Sequence, residues 1–134
     1  LIDRQITQRA EAVLASLAAV PGDPGALAAT IGQRLMDSVH ANPQWQMLFF
    51  EFCLRAMRNE DVRLRFVEHR RAMRKRVAET TEALRERLGI TAMSAESLTV
   101  LVMSLSNGLA IEEMVDPGAV PSGLISDVLT HLQT

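Results

Sequence analysis

The sequence has a single cysteine, Cys53, no tyrosine, and only one lysine, Lys75, among its 14 basic residues. One cysteine excludes a disulfide within the chain. The near-absence of lysine is interpreted as a bias of genome composition and not as a sign of function. A formal net charge of -2 lacks the basic excess that is typical of a nucleic-acid surface. No signal peptide or membrane span is apparent, so the composition favours an intracellular, cytoplasmic protein.

Motifs that carry chemistry are also missing. No serine or cysteine stands in a nucleophile motif, and no Gly-rich phosphate loop occurs. The three histidines, His40, His69 and His131, fall on different predicted helices and give no metal-ligand spacing. The sequence therefore predicts no enzyme, no cofactor and no metal site.

What the sequence does contain is helical periodicity along its whole length. The 134 residues are 48% hydrophobic, enough for one domain with a core of its own. Apolar residues recur at intervals of three and four, and no strand pattern or internal repeat is evident. We predict an all-α domain of about six helices, ended at Pro21–Gly25, Asn42–Pro43, Asn59, Gly89 and Asp116–Pro121. The predicted ranges are 1–19, 25–41, 43–58, 60–88, 94–115 and 122–133.

The fifth predicted helix organises the rest because it is apolar on two faces. One face carries Leu98, Leu101, Val102, Leu105 and Leu109. Other apolar residues point elsewhere, so this helix needs cover on both sides. With about 15 apolar-dominated residues it is interpreted as too short and too polar for a bilayer. Either other helices of the chain or the same helix of a second chain must therefore cover the second apolar face.

The fifth and sixth helices together are predicted to form an antiparallel hairpin with more apolar surface than the first four helices need. Gly108 costs a helix roughly 1 kcal/mol relative to alanine, and a close helix contact beside Asn107 would explain it. We therefore predict a homodimer built on this pair of helices. Its candidate interface residues are Val100, Met103, Asn107, Gly108, Ile111, Leu124, Ile125, Val128, Leu129 and Leu132.

Apolar and aromatic residues of the second, third and fourth helices are candidates for a small-molecule cavity. They are Met36, Trp45, Phe49, Phe52, Phe66, His69 and Met73. For each of them ordinary core packing is the alternative, and for His69 a core histidine with its hydrogen bonds satisfied. The basic run from His69 to Arg76 is either a phosphate-binding patch or, as we favour, a solvated helix face.

Two stretches of the sequence are similar to a known family. The first comprises Trp45, Leu48, Glu51, Phe52 and Ala56 of the third helix, and the second is the run Leu105–Glu112 of the fifth, which continues to Asp116–Pro121. At these residues the chain resembles the C-terminal half of tetracycline-repressor-like (TetR-family) transcriptional regulators. Asn107 stands where many relatives have an aspartate before the glycine.

The resemblance implies several expectations. The last two helices of two subunits would form an intersubunit four-helix bundle, and a small hydrophobic or amphipathic effector would enter a cavity between the third and fourth helices. Residues 1–134 would be a regulatory, ligand-binding and dimerisation domain that lacks an N-terminal helix-turn-helix domain of about 50 residues. That domain would read operator DNA and join the present chain near Leu1, which begins without a methionine.

The expected function is therefore the effector-sensing and dimerisation portion of a ligand-responsive transcriptional regulator, a repressor. The alternative is a stand-alone helical module whose exposed hairpin binds another protein. A small helical enzyme would need titratable groups clustered around His69, and the sequence shows none nearby.

Overall fold

The computed structural model describes residues 2–19 and 24–133, and all regular structure in these ranges is helical. The six helices are α1 (Ile2–Ala18), α2 (Pro24–His40), α3 (Pro43–Arg58), α4 (Glu60–Leu88), α5 (Ala95–Val115) and α6 (Leu124–Leu132). The predicted all-α class and the bounds of α3 and α4 are confirmed. The predicted turn at Pro21, Gly22 and Asp23 lies outside the described residues.

Short polar side chains and one glycine set where α3 and α4 begin and end. Asn42 caps α3 by accepting a hydrogen bond from the backbone N–H of Trp45 at 3.0 Å. Asn59 caps α4 in the same way, accepting from Val62 N at 3.1 Å. Gly89 ends α4 with φ at 71°, a left-handed conformation that suits glycine. These local signals were readable in the sequence, so the bounds of both helices could be predicted.

Two groups of buried side chains lie at opposite ends of α4, which is roughly 43 Å long at 1.5 Å per residue. The main core gathers around the C-terminal end of α4, and an aromatic core gathers between α3 and the N-terminal half of α4. The main core consists of Leu17, Leu27, Ala28, Ile31, Leu35, Met36, Leu84, Leu88, Ile90, Leu98, Ile125 and Leu129. The aromatic core consists of Phe49, Ala56, Phe66 and Met73, with Trp45, Phe50, Phe52, Cys53, Val62 and Val77 packed against it.

Helix α6 packs mainly against α2, whereas α5 packs mainly against α4. The backbones of α2 and α6 approach closely at Gly32, where an added Cβ would lie 2.6 Å from Ser126 N. The glycine therefore makes room for α6. The sequence analysis assigned close helix contact to Gly108, but an added Cβ there meets no described atom within 4 Å. Within the described chain, the close contact is at Gly32 instead.

Helix α5 has one covered side and one open side. Leu98, Thr99 and Ala110 are buried, while Val100, Ile111 and Val115 are 52%, 44% and 80% exposed. At 21 residues α5 is long and apolar enough, by length and composition alone, to cross a membrane. Length and polarity alone therefore do not exclude a span in the way the sequence analysis expected, because serine and asparagine interrupt the run without adding charge. The same composition is typical of a helix that another protein surface covers on its second side.

Helix α1 is held to α2 and α4 by polar side chains. The guanidinium of Arg34 donates hydrogen bonds to Ser16 O at 2.9 Å and to Ser16 Oγ at 2.6 Å. Arg76 on α4 forms an ion pair with Glu11. Both contacts involve partly exposed groups, so their contribution to stability is modest.

Candidate functional site

A cavity of about 370 Å³ lies between the main core and the aromatic core. Helices α1 to α5 all contribute to its wall, and α6 contributes Leu129. Most of the lining is apolar, including Val13, Leu35 and Val102. The volume is in the range of protein sites for small organic ligands, about 300–1,000 Å³.

Helix α3 supplies an aromatic wall. Trp45 and Phe49 are four residues apart, so both side chains lie on the same face of the helix, and both line the cavity. The Asn42 cap sets the start of this helix and is itself a lining residue. Met73 of α4 completes this part of the wall. The local sequence thus places Trp45 and Phe49 on one face of α3, and the packing of α3 on α4 directs that face toward the cavity.

Two arginines cover these aromatic rings. The guanidinium carbon of Arg9 lies 5.2 Å from the centre of the Trp45 ring, and that of Arg70 lies 5.5 Å from the centre of the Phe49 ring. Both arginines line the cavity. Planar guanidinium groups stack favourably on aromatic faces. The cavity therefore combines an apolar interior with positive charge.

Burial lowers the pKa of Arg70, the nearby Cys53 thiol opposes that shift, and Arg74 adds to it. The pKa of Cys53 is raised by burial, with Arg70 acting in the opposite direction. A guanidinium remains charged despite such a shift. The cost of desolvating Arg70 would fall if a bound anion faced it.

The side of the cavity facing α5 carries uncharged polar groups. Ser106 and Asn107 of α5 line it, as do Thr80 and Thr81 of α4. The hydroxyl of Thr81 donates to Val77 O at 2.8 Å within its own helix. These groups can orient a ligand by hydrogen bonding, in keeping with the few polar groups of an otherwise apolar site.

A surface groove adjoins the cavity between α1 and the start of α3. It shares Arg9, Ala12, Asn42 and Trp45 with the cavity lining, and Gln5 and Gln8 of α1 line its outer part. This groove lies on a different side of α3 from the predicted entrance between the third and fourth helices.

Of the seven predicted ligand residues, the structure brings Trp45, Phe49 and Met73 to the cavity. Met36, Phe52, Phe66 and His69 are not in its lining. Met36 is buried in the main core at 2% exposure, and Phe52 and Phe66 pack edge to face with centroids 4.9 Å apart. Apolar periodicity identifies the inward face of a helix, but it does not distinguish side chains that pack in the core from side chains that line the cavity.

The sequence analysis missed the two arginines. It assigned Arg70 to the solvated side of the fourth helix, and this is corrected by its half-buried position in the lining. Arg70 follows Phe66 by four residues and precedes Met73 by three, which places it on the inward face. That spacing was the available signal. Arg9 could not be placed without knowing how α1 packs on α3.

The ten predicted interface residues fall into four groups. Val100, Gly108 and Ile111 lie on the open side of α5, and Leu124, Val128 and Leu132 of α6 are half-buried. Met103 and Asn107 line the cavity. Ile125 and Leu129 are 4% and 3% exposed, so the main core of the subunit already covers them. A second subunit would therefore meet the other positions first.

Metal-ligating residues do not cluster in residues 2–19 and 24–133: no group of three or more His, Cys, Asp or Glu side chains could hold an ion. His40 instead lies 3.7 Å from the carboxylate of Glu113. That carboxylate also accepts hydrogen bonds from Gly118 N and Val120 N, and these two bonds are the main causes that lower its pKa. The hydrogen bonds to Glu113 thus stabilise the turn after α5.

An all-helical domain with a walled cavity beside its first helix and an uncovered apolar helix face is the architecture expected of a ligand-sensing regulator domain. Comparison with protein families matches residues 24–134 to the C-terminal domain of the BetI-type transcriptional repressors. The chain belongs to this family, which confirms the resemblance to TetR-family regulators. Comparison with curated proteins and with solved structures gave no significant match.

Proposed function

We propose that this chain is the effector-sensing and dimerisation part of a cytoplasmic transcriptional repressor and that it catalyses no reaction. The observation that carries the proposal is that α1 forms part of the cavity wall, through Arg9, Ala12, Val13 and Leu17. A ligand in this cavity would contact α1 directly. Family membership supports the regulatory role.

Helix α1 would transmit the signal. We infer that it connects to a helix-turn-helix domain on its N-terminal side, as the family resemblance implies. A ligand that enters through the groove beside Arg9 would favour one of two positions of α1 relative to α2 and α4. In a dimer this changes the separation of two DNA-reading heads, whose half-sites are about 34 Å apart. A shift from mostly bound to mostly released requires a differential affinity of a few kcal/mol, about 5.5 kcal/mol for a complete switch.

The open side of α5 supports the dimer. Val100, Ile111 and Val115 are exposed along one stripe of a helix whose other side is in the core. Gly108 lies on the same stripe and leaves space for a close approach. In the proposed dimer α5 and α6 pair with their counterparts around a two-fold axis, so each residue meets the same surface of the partner.

The same stripe also fits the alternative function, a stand-alone module that binds a different protein through α5. The two functions differ in the oligomeric state of the pure chain. A self-complementary stripe gives a dimer, whereas a surface for another protein leaves a monomer.

Sedimentation equilibrium of the chain at micromolar concentration tests the proposal. We expect a dimer, and we expect Ile111→Glu to convert it to a folded monomer because it would place a charge in the centre of the interface. Met57→Glu is the matched control, since Met57 is 72% exposed on α3 and its change should leave the dimer intact. A folded wild-type monomer, or a dimer unaffected by Ile111→Glu, would exclude this interface.

A further inference from the structure

The cavity has positive charge and, among the described residues, no negative charge to balance it. Arg9 and Arg70 belong to its lining, and no aspartate or glutamate does. A site that received a cation would be expected to show carboxylates or uncovered aromatic faces. Here both aromatic faces that an arginine reaches, Trp45 and Phe49, are already occupied by protein cations.

The nearby described carboxylates are not directed at Arg70. Glu11 pairs with Arg76, and Glu68, two residues before Arg70, is exposed. No described carboxylate forms an ion pair with Arg70 or with Arg9. Burial is the main cause that lowers the pKa of Arg70, so this guanidinium has lost part of its hydration without gaining an acidic partner.

The geometry leaves the arginines able to bind a ligand. A guanidinium that stacks on a ring uses its flat face, so its N–H edge remains available for the two oxygens of a carboxylate. Trp45 and Phe49 are one helical turn apart, so the two stacked arginines lie along one face of α3. Arg9 of α1 is exposed at the groove, and Arg70 of α4 is half-buried.

We propose that the cavity binds an amphipathic organic anion, with its carboxylate at Arg9 and Arg70 and its apolar body against Leu35, Leu84 and Val102. This inference rests on the proposed function, because it names the ligand class of the same cavity. It makes the two arginines the determinants of ligand charge and the apolar lining the determinant of ligand size.

Isothermal titration calorimetry with three probes of equal chain length tests the inference: octanoate, octanol and octyltrimethylammonium. We expect octanoate to bind about tenfold more tightly than octanol, because an ionised carboxylate forms stronger hydrogen bonds to a guanidinium than a hydroxyl does. Octyltrimethylammonium should bind more weakly than either.

Three substitutions assign the preference to the arginines. Arg70→Met keeps an apolar stem over Phe49 and should reduce octanoate binding to the level of octanol, whereas Arg70→Lys should retain part of the preference. Arg9→Met, at an exposed position of α1, provides the same test should Arg70→Met fail to fold. Arg71→Met is the matched control, because Arg71 is exposed next to Arg70 on α4, and it should bind octanoate as the wild type does.

The outcomes separate the inference from the proposed function. Equal binding of octanoate and octanol, or tighter binding of the cation, overturns the anion preference and leaves a ligand cavity. No binding by any of the three probes overturns both. Thr80→Phe should fill the cavity interior and abolish octanoate binding, and octanoate that still binds to this variant would overturn the inference by placing the ligand elsewhere.

Discussion

The two ends of α4 are packed in different ways. Around its C-terminal end, α2, α5 and α6 form the main core, where Leu27 is fully buried and the α2 backbone touches α6 at Gly32. Toward its N-terminal end, α1 and α3 pack on α4 beside the aromatic core, and the cavity of about 370 Å³ separates this core from the main core. The comparison indicates that one end of the domain is a fixed frame and the other is adaptable. Close-packed interiors resist displacement, whereas a cavity wall can move with its contents.

The largest difference should appear between truncation of a leucine that is enclosed in the main core and truncation of one that borders the cavity. We expect Leu27→Ala to lower the free energy of unfolding by about 4 kcal/mol, because it opens a new void in the packed end. Leu84→Ala, which borders the existing cavity, should cost about 2.5 kcal/mol, because that side chain already lacks neighbours on one side. Urea denaturation of both variants measures the difference. Equal losses would show that the cavity is closed in solution.

Glycine substitutions should have opposite signs at the two positions compared above. Gly32→Ala should destabilise the chain by about 2 kcal/mol, because the new methyl group would overlap the backbone of Ser126. Gly108→Ala should stabilise it by up to about 1 kcal/mol through helix propensity. Thermal unfolding in the Ile111→Glu background makes the measurement free of the second subunit. A stabilising Gly32→Ala would refute the close contact of α2 with α6.

Substitutions of the two asparagine caps should lower stability equally but affect ligand binding unequally. Asn42→Ala and Asn59→Ala should each cost about 1 kcal/mol of stability. Only Asn42 lines the cavity and holds the start of α3 near Trp45, so only Asn42→Ala should weaken octanoate binding. Calorimetry on both variants, with stability from urea denaturation, checks this. Equal loss of binding in both would mean that binding follows overall stability instead.

The smallest expected effect is on pH dependence at the turn after α5. Hydrogen bonds from Gly118 N and Val120 N lower the pKa of Glu113 below the usual 4.5. A lowered folded-state pKa gives stability that is present above the unfolded-state pKa and lost as the pH falls through the folded-state value. Glu113→Gln should therefore be less stable than the wild type near pH 7, with a gap that narrows below about pH 4.5. Melting temperatures from pH 3 to pH 7 measure the gap, and a constant gap would exclude ionisation as its cause.

Local features of the helices were largely predictable from the sequence, and contacts between helices were only partly so. Caps such as Asn59 and Gly89 act within a few residues, so the bounds of α3 and α4 followed from local pattern. The uncovered stripe of α5 followed from its second apolar face. Gly32 was not recognised, because its role depends on where α6 crosses α2. Arg70 was assigned to the surface, because a charged residue on an inward face is recognised only when a neighbouring helix is seen to enclose it.

The central claim is that cavity occupancy moves α1 relative to a fixed α2–α6 frame. The most direct measurement is the distance between spin labels on the two subunits of the dimer, in a Cys53→Ala background. One pair is placed at Ala15→Cys on α1 and the other at Thr130→Cys on α6, both exposed positions outside the cavity and groove linings. Saturating octanoate, or whichever of the three probes binds most tightly, should change the Ala15 distance and leave the Thr130 distance unchanged. A ligand that binds and leaves both distances unchanged would contradict the account.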